Sequence, residues 1–179
     1  MKLIKPFNLA KWLEENRHLL KPPVSNKNLY VESEDYIVMV VGGPNARKDY
    51  HYNESEELFY QLEGIIQVAV QTAGGKETMT LGPGDMFLLP AKIPHSPIRT
   101  EGSVGLVIER KRDVNNNAKD GLLWYCDQCN EKLYEVYFPL HNIETDFLNH
   151  FQHFYESEEL RTCKKCGHTM EVDNRFVKK

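Results

Sequence analysis

Hydrophobic and polar positions divide the chain into segments of different texture. In residues 8–20, NLAKWLEENRHLL, Leu9, Trp12, Leu13, Leu19 and Leu20 recur at helical spacing behind Asn8, a residue type that caps helix N-termini. Pro22 and Pro23 then stop the pattern. From Tyr36 to Arg112 the texture changes to short β-type runs: YIVMVV, ELFYQL, IIQVAVQ, ETMTL, MFLLP and VGLVIER. Turn residues separate them at Gly42-Gly43-Pro44, Gly64, Gly74-Gly75, Gly82-Pro83-Gly84-Asp85 and Glu101-Gly102-Ser103. Strands this short and this regularly punctuated predict an antiparallel sandwich or barrel. The stretch Asp113 to Gly121, DVNNNAKDG, is almost devoid of apolar residues and is expected as a linker. Beyond it, Ile143, Phe147, Phe151, Phe154 and Tyr155 recur at helical intervals after a Thr145 or Asn142 cap. The predicted organisation is mainly β, with a helix and barrel over 1–112, a linker over 113–121, and a small second unit with one helix over 122–179.

Composition narrows the class. The chain has 179 residues, 41% of them hydrophobic and 27% charged, enough for one sizeable core and a small appendage. Its longest apolar run, Tyr36 to Val41, is far too short to span a bilayer, and the first twenty-five residues never build the apolar core of a secretory signal. No membrane association is expected, and the expected location is cytoplasmic. A formal net charge of −4 without basic blocks lacks the electrostatic footprint of a nucleic-acid binder, so no nucleic-acid partner is expected.

Candidate chemistry appears twice. In the β region, His51-x-Asn53-x3-Glu57-x6-Gly64 is followed by Gly84-x5-Pro90-x4-His95. A lone His or Glu in a strand is usually hydrogen-bonded or solvated, but these three can converge from adjoining strands. Two neutral imidazoles and one carboxylate on one face of an octahedral ion leave three positions for substrate and O₂, the ligand set of non-haem Fe(II) oxygenases. Separately, Cys126-Asp127-Gln128-Cys129 and Cys163-Lys164-Lys165-Cys166 use every cysteine of the chain. Paired CxxC knuckles present four thiolates tetrahedrally to zinc or iron, and Asn130 and Gly167 follow them with residues that tolerate the left-handed closing turn. A disulfide framework does not suit a cytoplasmic chain, and a thioredoxin-like centre needs only one pair. Full thiolate coordination leaves no open position, so this site is expected to be structural or to store an ion rather than to catalyse. His141, His150, His153 and His168 are expected as surface residues.

The β-region segments resemble the two motifs of the cupin superfamily, G-x5-H-x-H-x3,4-E-x6-G and G-x5-P-x-G-x2-H-x3-N, over about residues 42–99. The fold this implies is the cupin double-stranded β-helix, a jelly-roll barrel. Asn45, Asn53, Lys92 and Arg99 depart from those motifs, which reduces a four-ligand site to three. RKDYHYNESEE from Arg47, HSPIR from His95 and GLVIER from Gly105 are similar to the 3-hydroxyanthranilate 3,4-dioxygenase family. That resemblance implies iron(II) held by His51, Glu57 and His95, with Arg47, Arg99 and Glu109 as catalytic and substrate- or O₂-binding residues. It further implies a rubredoxin-like iron site on Cys126, Cys129, Cys163 and Cys166. A substrate bearing a carboxylate, an amine and a phenol needs a planar cationic clamp, so Arg99 is assigned to the carboxylate. Arg47 would bond the phenolate oxygen or a bound oxygen species, and Glu109 would accept from the amine or help deprotonate the phenol.

The activity so implied is an iron-dependent, extradiol-type opening of the 3-hydroxyanthranilate ring by O₂. Its product, 2-amino-3-carboxymuconate semialdehyde, is a precursor of quinolinate in NAD biosynthesis from tryptophan. The expected partners are this small aromatic acid and O₂, and the expected assembly is a homodimer. A metabolite sensor whose four-cysteine ribbon contacts a partner is the rival reading. Against it stand the open-face ligand set and the placement of Lys164 and Lys165 among Glu156, Glu158 and Glu159.

Overall fold

The computed structural model describes residues 3–21, 25–112, 118–140 and 146–177. Helix α1, Leu9–Asn16, begins where Asn8 Oδ1 accepts from Lys11 N at 3.0 Å, and tightens into a 3-10 turn over Arg17–Leu20. Its Leu13 packs with Leu20 against Val40 and Val104 on the outside of the barrel. Pro22 and Pro23 lie outside the described residues, as do Ile143 and the proposed caps Asn142 and Thr145.

Eleven strands follow among the described residues: β1 Asn26–Asn28, β2 Tyr36–Gly42, β3 Tyr50–Tyr52, β4 Glu57–Glu63, β5 Ile66–Thr72, β6 Gly75–Leu81, β7 Met86–Leu89, β8 His95–Arg99, β9 Val104–Arg110, β10 Asp120–Tyr125 and β11 Lys132–Phe138. They form a five-stranded sheet, β1-β2-β9-β4-β7, and a six-stranded sheet, β11-β10-β3-β8-β5-β6. The pairing is nested. β5 turns back on β6, and around that hairpin β4 pairs with β7, β3 with β8 and β2 with β9, all antiparallel. Successive pairs alternate between the two sheets, so one long hairpin wraps into a jelly roll. The loop between Thr72 and Gly75 is two residues long, and Gly75 at φ +107° takes a conformation that side chains resist. Alternation along the strands puts Met39, Phe59, Leu89 and Val107 into the barrel, while Leu58, Leu88 and Ile108 face outward.

β1, β3 and β8 are not evident from patterning. β3 is only three residues long, and β8 contains Pro97, which weakens a strand reading. Pro97 fits because β3 pairs with β8 only at His51↔His95, so no ladder bond to β3 is required at Pro97.

The expected linker is corrected at its end. Asp120 and Gly121 are buried in β10, which pairs with β3 on one side and β11 on the other. Residues 120–138 therefore complete the barrel's six-stranded sheet, and the expected second unit is continuous with the barrel. Helix α2, Asp146–Glu156, packs Phe147, Phe151, Phe154 and Tyr155 against this extension, with the Trp124 and Phe154 rings stacked at 4.4 Å. A short helix, α3 over Glu158–Arg161, adds to the single helix expected there. Arg161 is buried and donates to Tyr155 O and Met170 O, which seats the return segment. No described helix is long and apolar enough to cross a membrane.

Candidate active site and four-cysteine site

Register brings the three predicted ligands together. His51 on β3 stands opposite His95 on β8 in one sheet, and Glu57 on β4 points inward from the other. Glu57 Oε1 lies 3.6 Å from His51 Nδ1, and Oε2 lies 3.2 Å from His95 Nε2. All three residues are buried, and their ligand atoms lie within 4.8 Å of one another. The other imidazole nitrogens are engaged: His51 Nε2 with Asp120 Oδ1 at 2.7 Å, and His95 Nδ1 with Ile93 O at 3.1 Å. Each ring therefore donates outward and keeps its inward lone pair for an ion, an arrangement that fixes tautomer and ring orientation. Burial opposes the charge on Glu57, but His95, His51 and Asn53 outweigh it and hold the carboxyl down at about 2. Burial likewise disfavours charge on His95, and Glu57 outweighs it, leaving that imidazole raised. Two nitrogens and a carboxylate converging among buried side chains fit a divalent cation.

A second tier of polar groups supports this triad. Asn53 Nδ2 donates to Glu57 at 3.2 Å and to Glu109 at 2.8 Å. Arg112 holds Asp120 through Nε and Nη2 and reaches Glu109 through Nη1 at 2.8 Å. Burial raises the Glu109 carboxyl and the Glu57 charge raises it further, with Arg112 opposing. Burial opposes the charge on Asp120 too, but Arg112 and His51 lower that carboxyl.

The predicted substrate residues fall in different surroundings. Glu109 is directly opposite Glu57 in the β4–β9 register and shares its interior. Arg99 lies four residues after His95 on the same strand, on the same face, and is 3% exposed. Its backbone is held by Asn45 through bonds of 3.0 and 2.9 Å, so a residue that departs from the cupin motif anchors it. Arg99 Nη1 has no hydrogen-bond partner among the described residues, and burial alone lowers its guanidinium to about 10. Arg47 is half-buried farther out, 3.4 Å from Asp49 by its Nε and over the Phe151 and Phe147 rings of α2.

The four cysteines also meet. Cys126 and Cys166 sulfurs are 3.6 Å apart, as are those of Cys129 and Cys163. Sulfurs bonded at about 2.3 Å to one tetrahedral ion lie about 3.8 Å apart, whereas a disulfide is near 2.05 Å. The backbone N–H of Cys166 brings the Cys163 thiol to about 7 against the effect of burial. Cys129 instead stands at about 12: a backbone bond from Glu131 favours its thiolate, but burial and the neighbouring sulfurs oppose it. Four thiolates this close need a cation between them. Asn130, at φ +59°, closes the first knuckle and exchanges two hydrogen bonds with Gln71 of β5. His168 is half-buried and pairs with Asp127 at 2.6 Å, and His150 stacks on Phe138 at 4.1 Å, so neither is the plain surface residue expected. His153 is exposed, and His141 lies outside the described residues.

A family model described as 3-hydroxyanthranilic acid dioxygenase matches residues 1–155. The chain belongs to that family. The 3-hydroxyanthranilate 3,4-dioxygenase of Xanthomonas euvesicatoria pv. vesicatoria is 56% identical over 175 residues, covering 98% of this chain and 97% of that protein. A Bacillus cereus protein of the same name is 45% identical, covering 94% of this chain and 93% of its own length. Among solved structures, a cupin-2 domain protein from Shewanella frigidimarina overlays 55% of this chain with a TM-score of 0.46 and 22% identity. The matched stretch of the dioxygenase family ends at residue 155, before Cys163 and Cys166. The sequence reading of this dioxygenase-family chain missed Asp120, Arg112 and the bridging role of Asn53. Asp120 and Arg112 lie in or beside a polar run that reads as a solvated connection. The one available signal was an acidic residue immediately before the apolar strand GLLWY.

Proposed function

We propose that this protein opens the ring of 3-hydroxyanthranilate with O₂. The C3–C4 bond breaks, C3 becomes a carboxylate carbon and C4 an aldehyde carbon, and each takes one oxygen atom of O₂. The product is 2-amino-3-carboxymuconate semialdehyde, which cyclises without an enzyme to quinolinate and feeds NAD synthesis. His51, Glu57 and His95 would hold iron(II), which when bound supplies the one-electron exchange that lets ground-state O₂ react with an aromatic ring.

The observation that carries this reading is Arg99: a buried guanidinium in the same barrel wall as His95, with one nitrogen unpartnered. A buried charge requires a counterion, and a substrate carboxylate supplies it with two oxygens matched to the planar donor pair. His95 and Arg99 are four residues apart on one strand, about 13 Å between Cα atoms, which leaves room for one benzene ring between the guanidinium and the triad. Glu109, its carboxyl raised by burial, faces the same interior and would take a proton from the phenol or amine. Arg47 would steady the phenolate oxygen or the oxygen species at the outer side. Phe59, which packs edge-on to His95, and Phe147, beside His51, would keep bulk water from the triad.

The four thiolates would hold a structural iron or zinc. The chain would act as a homodimer, supported by the exposed Met86 and Leu88 on the outward face of the five-stranded sheet; sedimentation should report a dimer, and Leu88→Glu a monomer. The activity is tested by anaerobic Fe(II) reconstitution followed by O₂ uptake and ultraviolet product spectra. One O₂ per 3-hydroxyanthranilate with quinolinate accumulating is expected, and O₂ uptake without ring opening would contradict the reading.

A further inference from the structure

Residues 47–49, which lead into β3 and His51, are gripped on several sides by the C-terminal part of the chain. Lys48 Nζ reaches Asp127 of the first cysteine knuckle at 3.0 Å. The Arg47 guanidinium carbon lies 5.1 Å from the Phe151 ring centre and 6.0 Å from that of Phe147, both on α2. The Phe147 ring in turn sits 5.4 Å from the His51 ring. Asp49 is 2% exposed, and neither carboxylate oxygen accepts a hydrogen bond among the described residues; its ion pair is with Arg47 Nε at 3.4 Å. Buried beside it on the α2 side is the Tyr155 hydroxyl, which has no hydrogen-bond partner among the described residues and whose proton is held by burial and by the Asp49 charge.

A buried ion pair rarely adds net stability over apolar side chains of similar volume, so a buried carboxylate whose one ion pair is with Arg47 calls for a role other than holding the fold. Its geometry supplies one. Asp49 engages the stem-side nitrogen of Arg47, and the two rings cover the guanidinium from α2. Among the described residues, Arg47 pairs through Nε with Asp49, and no hydrogen bond from either Nη nitrogen is found. A side chain with four free torsions is thereby restrained at its edge and over its face.

We propose that Asp49, together with the Phe147–Phe151 face of α2, is the positioning device for Arg47, aiming its free Nη nitrogens at the mouth of the triad. Asp49 touches neither substrate nor ion and acts through Arg47. The inference rests on the reading of Arg47 as a group of the reaction. It also makes α2 part of the active-site architecture.

The test is a double-mutant cycle on Fe(II)-loaded full-length protein, with kcat, KM and melting temperature measured for wild type, Asp49→Asn, Arg47→Ala and the double variant. Asp49→Asn should lower kcat at least about tenfold, and should cost nothing further in the Arg47→Ala background, because contacting residues that act as one unit are non-additive. A merely structural Asp49 would lower the melting temperature and reduce kcat by the same factor in both backgrounds; that result overturns the proposal, as does wild-type kcat in Asp49→Asn. Wild-type kcat in Arg47→Ala would instead remove Arg47 from the reaction, and the positioning claim with it. If Asp49→Asn does not accumulate folded, Phe151→Leu takes its place in the cycle. Non-additivity with Arg47→Ala supports the device and additivity overturns it.

Discussion

His51, Glu57 and His95 come from three strands of two sheets, whereas the four cysteines come from two tight knuckles, each closed by a backbone bond, Asn130 N–H to Cys126 O and Gly167 N–H to Cys163 O. The first site exists only once the jelly roll has closed; the second needs only two short turns brought together. The first presents three ligands on one side of an ion and a buried cation beyond them, so it has room for a substrate. The second would surround an ion on four sides and offer no position to any reactant. Holding the same kind of occupant, the two sites would thus be separated by coordination number into one that can react and one that can only hold.

The largest effects should fall on the open site. His51→Ala, Glu57→Ala and His95→Ala should each abolish turnover and lower the iron retained in the barrel, read by metal analysis and O₂ uptake; full turnover in any of them removes that residue from the site. Next comes Arg99→Ala, which leaves a substrate carboxylate without its partner. A loss of about 3–5 kcal/mol, roughly 150- to 5,000-fold in kcat/KM, is expected with 3-hydroxyanthranilate, and only part of it should return with Lys. 2-Aminophenol has no carboxylate and should be nearly indifferent to the same change; an equal loss would show that Arg99 does not clamp the carboxylate.

Asp120→Asn should act more gently, because it removes the acceptor that orients His51 and leaves the ligand in place. Metal affinity at the barrel should fall about 10- to 100-fold in competition titrations, with occupancy restored by excess iron. The smallest effect on chemistry should come from the closed site. Cys163→Ser should release its metal, lower the melting temperature and speed proteolysis beyond Tyr125, while kcat per barrel-bound iron changes by less than about tenfold. The aromatic packing of α2 on Trp124 remains to hold Phe147 and Phe151 near Arg47. A fall of a hundredfold or more, about 2.7 kcal/mol, would mean that the two sites cannot be separated.

The same contrast explains what the amino-acid sequence disclosed. A CxxC pair carries its geometry in a few consecutive residues, so the closed site is legible from spacing. The strands β2, β4, β5, β6, β7 and β9 are legible from alternation and from the glycine turns between them. The triad is harder to read, since nothing local says that His51 will face His95; the cupin-like spacing supplied that link. Asp120 was legible only as an acidic residue placed before an apolar strand, and Arg112 not at all. Their importance lies in the contact Asp120 makes to His51 on the neighbouring strand and in Arg112 bridging Asp120 to Glu109, and a polar run gives no sign of which of its members will be buried. β3 and β8 are too short or too irregular for periodicity to reveal, although they carry both histidines.

The central claim is that one pocket, lined by His51, Glu57 and His95 at one end and Arg99 at the other, receives the aromatic acid. A crystal structure of the Fe(II)-loaded protein soaked anaerobically with 3-hydroxyanthranilate tests it most directly. The substrate ring should lie inside the barrel, with its carboxylate paired to the Arg99 guanidinium and its hydroxyl and amino groups turned toward the triad. A substrate bound with its carboxylate away from Arg99, or outside the barrel altogether, would contradict it.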